Sequence, residues 1–145
     1  MCENGDGKQD CMQKNIVYQN SCLECAAAVA TATGDGGVNS DQGRCRLALY
    51  TRQTSRTGYE RGREHLDGLK KKNENNPLYK HVADRHSDDT NIKFRMTVVK
   101  RHFSAFSRLV HEAIRIETLS ESYLVEVLNS RSEIGRVVLP RLVVE

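Results

Sequence analysis

Hydrophobic positions are absent as a pattern from residues 1–14, which are polar, carry Gly5 and Gly7, and predict a disordered tail. The first apolar block, Ile16-Val17-Tyr18, reads as a short strand placed just before Cys22-Leu23-Glu24-Cys25. Residues 26–46 then run from an alanine-rich patch into Gly34-Asp35-Gly36-Gly37 and Ser40-Asp41-Gln42-Gly43, a composition that predicts a flexible insertion. Leu47-Ala48-Leu49-Tyr50 is a second strand.

From Tyr59 to Lys72 the spacing becomes helical. Tyr59, Gly62, Leu66 and Leu69 recur at steps of three and four, with Arg61 and His65 on a neighbouring face. Asn73 to Asn76 followed by Pro77 marks a stop and a restart, because proline suits the first turn of a helix, here running from Leu78 to about His86. Ile92, Phe94, Met96 and Val98 alternate with Lys93, Arg95, Thr97 and Val99, which predicts a half-buried strand with a basic outer side. Ser104 is placed to cap a helix whose apolar stripe is Phe106, Leu109, Val110, Ala113 and Ile116, with Glu112 on its polar flank. Val137-Val138-Leu139 and Leu142-Val143-Val144, split by Pro140, predict an extended edge segment. The expectation is one α/β (α+β) domain over 15–145: a small three-stranded, mainly antiparallel sheet from residues around 16, 48 and 95, flanked by helices near 60, 80 and 110.

Composition changes this picture little. The chain has 145 residues, 38% hydrophobic and 28% charged, enough for one domain with its own core. No apolar run reaches the length of a membrane span, and Met1 opens onto Cys-Glu-Asn-Gly-Asp, which implies an intracellular protein of nucleus or cytoplasm, not a secreted one. Five cysteines, an odd number without a secretion signal, fit thiols or metal ligands better than disulfides. Charge is more informative, because the net +3 is uneven. Residues 51–72 hold seven Lys/Arg against three Asp/Glu, and residues 91–115 hold six against one. Brought together, these blocks suit a phosphate backbone; kept apart, they are two solvated helix faces.

The stretch from Tyr50 to His65 carries the chemistry: a tyrosine at a strand end, then Arg61 and His65 at i and i+4 on the following helix. With Ile16-Val17-Tyr18 ahead of it, Cys22-x-x-Cys25 between, and Glu112 and Asn129 behind, this order resembles the GIY-YIG nuclease family. The resemblance is closest to the branch found in Penelope-like retroelements, which carries a Cys-x-x-Cys between the two tyrosine motifs. It covers nearly all of the chain beyond the tail. It implies a DNA endonuclease using a divalent cation, from or derived from a retrotransposon, and a reverse transcriptase or other domain of a larger polypeptide as partner.

The resemblance implies Tyr18 as general base toward water, hydrogen-bonded to Tyr50 or His65, Arg61 on the phosphate charge, and Glu112 as ligand of one Mg2+. Arg56, Arg63 and Asn129 are the substrate-binding candidates. Glu117, on the same helix, is a rival to Glu112. Ile16 and Arg52 stand where the family pattern has glycines. Taken singly, both tyrosines are ordinary core residues, Arg61 an ordinary surface charge, and Asn129 an ordinary cap.

Cys22 and Cys25 have zinc-knuckle spacing, and two of His65, His81 and His86 would complete a tetrahedral Zn2+ site, with His81 and His86 the nominated pair. A competing set joins Cys2 and Cys11 to Cys22 and Cys25; buried free thiols are the bland alternative, and Cys45 is left over in each. A second function, from another class, is a catalytically inactive zinc- and nucleic-acid-binding module. A third, a regulatory protein-interaction domain, predicts no salt-dependent DNA affinity.

Overall fold

The computed structural model describes residues 10–32 and 46–129. After a 3-10 turn at Asp10–Met12, the elements in order are β1 (Ile16–Cys22), α1 (Leu23–Ala32), β2 (Leu47–Thr54), α2 (Gly58–Lys70), α3 (Pro77–Arg85), β3 (Phe94–Arg101), α4 (Ala105–Ser120) and β4 (Val125–Val127). The strands form one sheet in the order β3-β1-β2-β4. The three expected strands are there and pair antiparallel, but a fourth, β4, joins β2 in parallel at Leu47, Ala48 and Leu49. The sheet is therefore four-stranded and mixed, not three-stranded. Three residues carry too little alternation to announce β4, and a parallel partner needs a long crossover that leaves no local mark.

Local chemistry sets the helix boundaries. Thr57 and Glu60 make a reciprocal capping box at the start of α2, Glu60 N–H donating to Thr57 Oγ1 at 3.1 Å and Thr57 N–H to Glu60 Oε2 at 2.9 Å. Asn76 caps α3, accepting from Leu78 N–H, with Pro77 in the first turn as its sequence predicts. Ser104 caps α4 by accepting from Ser107 N–H at 3.1 Å.

β1 lies inside the sheet between β3 and β2, and five of its seven residues are buried. Cross-strand pairs put Tyr18 beside Arg52, Asn20 beside Tyr50, and Cys22 beside Phe94 on one face. α2 and α3 cover that face: Leu78 and Val82 of α3 pack with Cys22, Ala48, Tyr50 and Phe94, and Leu69 of α2 packs against them. Each such aliphatic side chain contributes about 1.5–3 kcal/mol on burial. α4 covers the other face, where Arg115 Nε donates to Gln19 and Arg108 Nε to Gln53.

Four expectations change. Residues 26–32, read as the start of a flexible insertion, belong to α1, where successive alanines favour helix; the rest of that segment, 33–45, lies outside the described residues. The tail 1–14 has its last part in the 3-10 turn, with 1–9 outside the described residues, as is the expected extended segment at 137–144. Tyr59 lies exposed, whereas Gly62 of the same expected face is buried, together with Gly58 and His65. Of the stripe assigned to the core in α4, Ile116 is buried and Val110 and Ala113 half-buried as expected, but Phe106 and Leu109 are exposed, and Arg108 and Glu112 face inward. Among the described residues no helix is long and apolar enough to cross a membrane.

Candidate functional site

Two clusters of chemistry stand on the α2/α3 side of β1. The first is built around Tyr18, fully buried on β1, with its hydroxyl 3.0 Å from His65 Nε2 on α2. His65 also packs edge-on against Tyr50 of β2, ring centroids 5.6 Å apart, so one imidazole links both tyrosines. Burial, and then the Arg61 charge, push the His65 pKa down from 6.5 to about 4, which keeps the ring neutral at pH 7. With its proton on Nδ1, the ring accepts the Tyr18 proton at Nε2. The Tyr18 pKa is raised, chiefly by burial; Arg61, one turn before His65, opposes this by charge and by a hydrogen bond to the hydroxyl.

The buried guanidinium nitrogen Nε of Arg61 has no hydrogen-bond partner, while its Nη1 pairs with Glu64. A half-buried guanidinium with a donor left over suits an incoming anion. Glu112 reaches the same region from α4, 8% exposed, with Arg52 Nη1 at 3.8 Å; its charge acts to raise the Tyr18 pKa. Glu117 is exposed, so the inward carboxylate of this helix is Glu112. Among the described residues, Glu112 belongs to no group of three or more ligating side chains. A lone buried carboxylate fits Mg2+ where waters and phosphate oxygens supply the other positions.

The three substrate-binding candidates separate. Arg56 is exposed and paired with Glu64, which it shares with Arg61. Arg63 lies on the outer surface of α2 over the Tyr59 ring, 5.9 Å from its centroid, away from Tyr18. Asn129 is buried and engages the backbone of Thr51 at both ends of its amide: Oδ1 accepts from Thr51 N–H at 3.1 Å, and Nδ2 donates to Thr51 C=O at 2.8 Å. It acts as a surrogate peptide that extends the β4 pairing beside Tyr50, and it ends no helix.

The second cluster is Cys22, Cys25, His81 and His86. Cys22 ends β1, Cys25 lies in the first turn of α1, and α3 supplies His81 from its body and His86 from its C-cap. The two imidazoles approach at Nε2, 3.2 Å apart; Cys25 Sγ lies 3.4 Å from His81 Nε2 and 3.5 Å from His86 Nε2, and Cys22 Sγ 3.5 Å from His86 Nε2. Zinc bonds of about 2.3 Å to sulfur and 2.0–2.1 Å to nitrogen at tetrahedral angles require edges of about 3.6 Å for S···N and about 3.3 Å for N···N. The donor set and its spacing therefore fit a four-coordinate ion. His65 is committed to the tyrosines, Cys11 is outside this cluster, and Cys2 and Cys45 lie outside the described residues.

Two supports escaped the sequence. Asn76 Nδ2 donates to the His65 carbonyl at 3.2 Å, passing over Gly68. The Arg52–Glu112 pair joins β2 to α4. The inward polar face of α4 was visible in principle as Arg108, Glu112 and Arg115 at steps of four and three. No protein-family model matches the chain, and no curated protein or solved structure matches it.

Proposed function

We propose that this chain is a divalent-metal-dependent DNA endonuclease of GIY-YIG type, from or derived from a retroelement, with a structural zinc centre beside its active site. One observation carries the reading: Tyr18 is buried with His65 and Arg61 at its hydroxyl, where the Glu112 charge also reaches. β1, α2 and α4 converge there from distant parts of the sequence.

In this reading the attacking water gives its proton to the Tyr18 oxygen as Tyr18 passes its own to His65 Nε2. Neutral His65 is in the state that can receive it. Arg61 binds a non-bridging oxygen of the scissile phosphate and meets the charge that grows there. A divalent cation held at Glu112, most simply Mg2+, would supply charge to the departing oxygen. Cys22, Cys25, His81 and His86 would hold Zn2+ and tie β1 to α3, fixing the strand that carries Tyr18. Nuclear or cytoplasmic residence, and a reverse transcriptase or another domain as partner, belong to the same reading.

The second reading, a zinc- and nucleic-acid-binding module without catalysis, draws on Arg52. It stands where the family pattern has glycine, and its guanidinium lies 3.8 Å from Glu112 in the place a cation would compete for.

Supercoiled plasmid with Mg2+ separates them. Nicking by the purified chain, reduced at least about 100-fold in Tyr18→Phe, Arg61→Ala and Glu112→Ala with folding intact, is the expected result. Salt-sensitive binding without nicking leaves the second reading. The absence of both binding and nicking overturns both readings.

A further inference from the structure

The turn between β3 and α4 presents aromatic side chains to solvent among positive charges. Phe103 is 91% exposed and Phe106 69% exposed, although burying such a ring is worth a few kcal/mol. The Arg101 guanidinium lies over the Phe103 ring, 5.5 Å from its centroid, and Lys100 and Arg101 are exposed beside it. Between residues 91 and 115 the single acidic side chain, Glu112, is turned inward, so no acidic group of that stretch faces outward beside these cations. An apolar protein partner would be met by the rings alone; rings set among cations match a strand whose backbone is anionic and whose bases have flat faces.

We infer that this turn is a base-stacking wedge for a DNA strand: Phe103 and Phe106 take bases that are unpaired or pushed out of the stack, while Lys100 and Arg101 hold the adjoining phosphates. The inference rests on the DNA reading above and adds to it a second contact point. Its place in the fold suits that use. His102 N–H donates to the Asn15 carbonyl at 2.8 Å, which fixes the turn at the end of β1. Asn15 lies three residues before Tyr18, about 10 Å along the strand. A strand whose phosphate reaches Tyr18 therefore passes the wedge within a few nucleotides.

The test uses the full chain and a short single-stranded DNA carrying 2-aminopurine, read by anisotropy and by the fluorescence of the probe. Phe103→Ala and Phe106→Ala are each expected to weaken binding by about 5- to 100-fold and to lose the fluorescence change that the wild type produces. Tyr123→Ala removes an equally exposed ring at the far end of α4 and is the control expected to leave both signals unchanged. Wild-type affinity and fluorescence in both phenylalanine variants would overturn the wedge, and plasmid nicking measured alongside would show whether the nuclease reading stands without it. Equal losses in Tyr123→Ala would also overturn it. A wild type that binds no DNA removes the wedge and the nuclease together.

Discussion

Tyr18 shares its hydroxyl between a neutral base and a permanent cation, and this sets how the site responds to acid. Folding lowers the His65 pKa from 6.5 to about 4, so the unfolded chain takes up the proton first as pH falls. The contribution of His65 to stability is complete above about pH 6.5 and is lost as pH drops toward 4, an effect on the order of 3 kcal/mol. Urea midpoints at pH 7.5 and 4.5 should therefore converge more in His65→Gln than in the wild type; equal losses in the two would contradict a buried neutral imidazole. The sequence exposed this pair only in part. Arg61 and His65 at i and i+4 showed a shared helix surface, but only the family resemblance, not the spacing, set Tyr18 of another element beside His65 or Tyr50. Glu112 and Glu117 could not be ranked by spacing, because burial decides between them and burial is a tertiary property.

Among the elements, α2 and α3 are joined at a point where no side chain intervenes. A Cβ on Gly68 would lie 2.0 Å from Asn76 Nδ2, the atom that bonds the His65 carbonyl. Gly68→Ala should displace Asn76, weaken both that bond and the α3 cap, and destabilise the fold by about 1–3 kcal/mol in urea unfolding. A neutral result would show that Asn76 does not brace His65. The restart at Pro77 and the cap at Ser104 were legible because each depends on neighbours within three residues. The orientation of α4 was not. Its apolar positions 106, 109 and 113 and its polar positions 108, 112 and 115 are equally regular, and the partners waiting on β1 and β2, two glutamines and Arg52, favour the polar side. β4 was invisible for a related reason: its pairing is completed by the Asn129 amide, a tertiary contact.

For the whole molecule, the Cys22, Cys25, His81 and His86 cluster links the end of β1 and the start of α1 to α3. Metal bound there adds its free energy to folding. The purified chain should carry one zinc per molecule, and removing it with a strong chelator should lower the Tm by at least about 5 °C. Cys22→Ser or Cys25→Ser should lose the metal; unchanged zinc content in either would remove that residue from the site. This cluster was the most legible chemistry in the chain, since Cys-x-x-Cys is local and histidines followed, and the nominated pair, His81 and His86, is the one the fold brings to it. The α/β class was legible too, from strand alternation at 92–98 and the helical spacing around it.

Tyr18 and Cys22 lie four residues apart on the same face of β1, so an even number of steps separates the two clusters. Inserting or deleting one residue between them would turn either the tyrosine or the thiol toward α4. Length here can change only in pairs, and each pair would also carry the metal cluster about 7 Å along the sheet from the tyrosine. The stretch from Gln19 to Ser21 is thus a fixed ruler, open to substitution and closed to insertion. In any descendant of this chain that keeps both sites, those three positions should remain three.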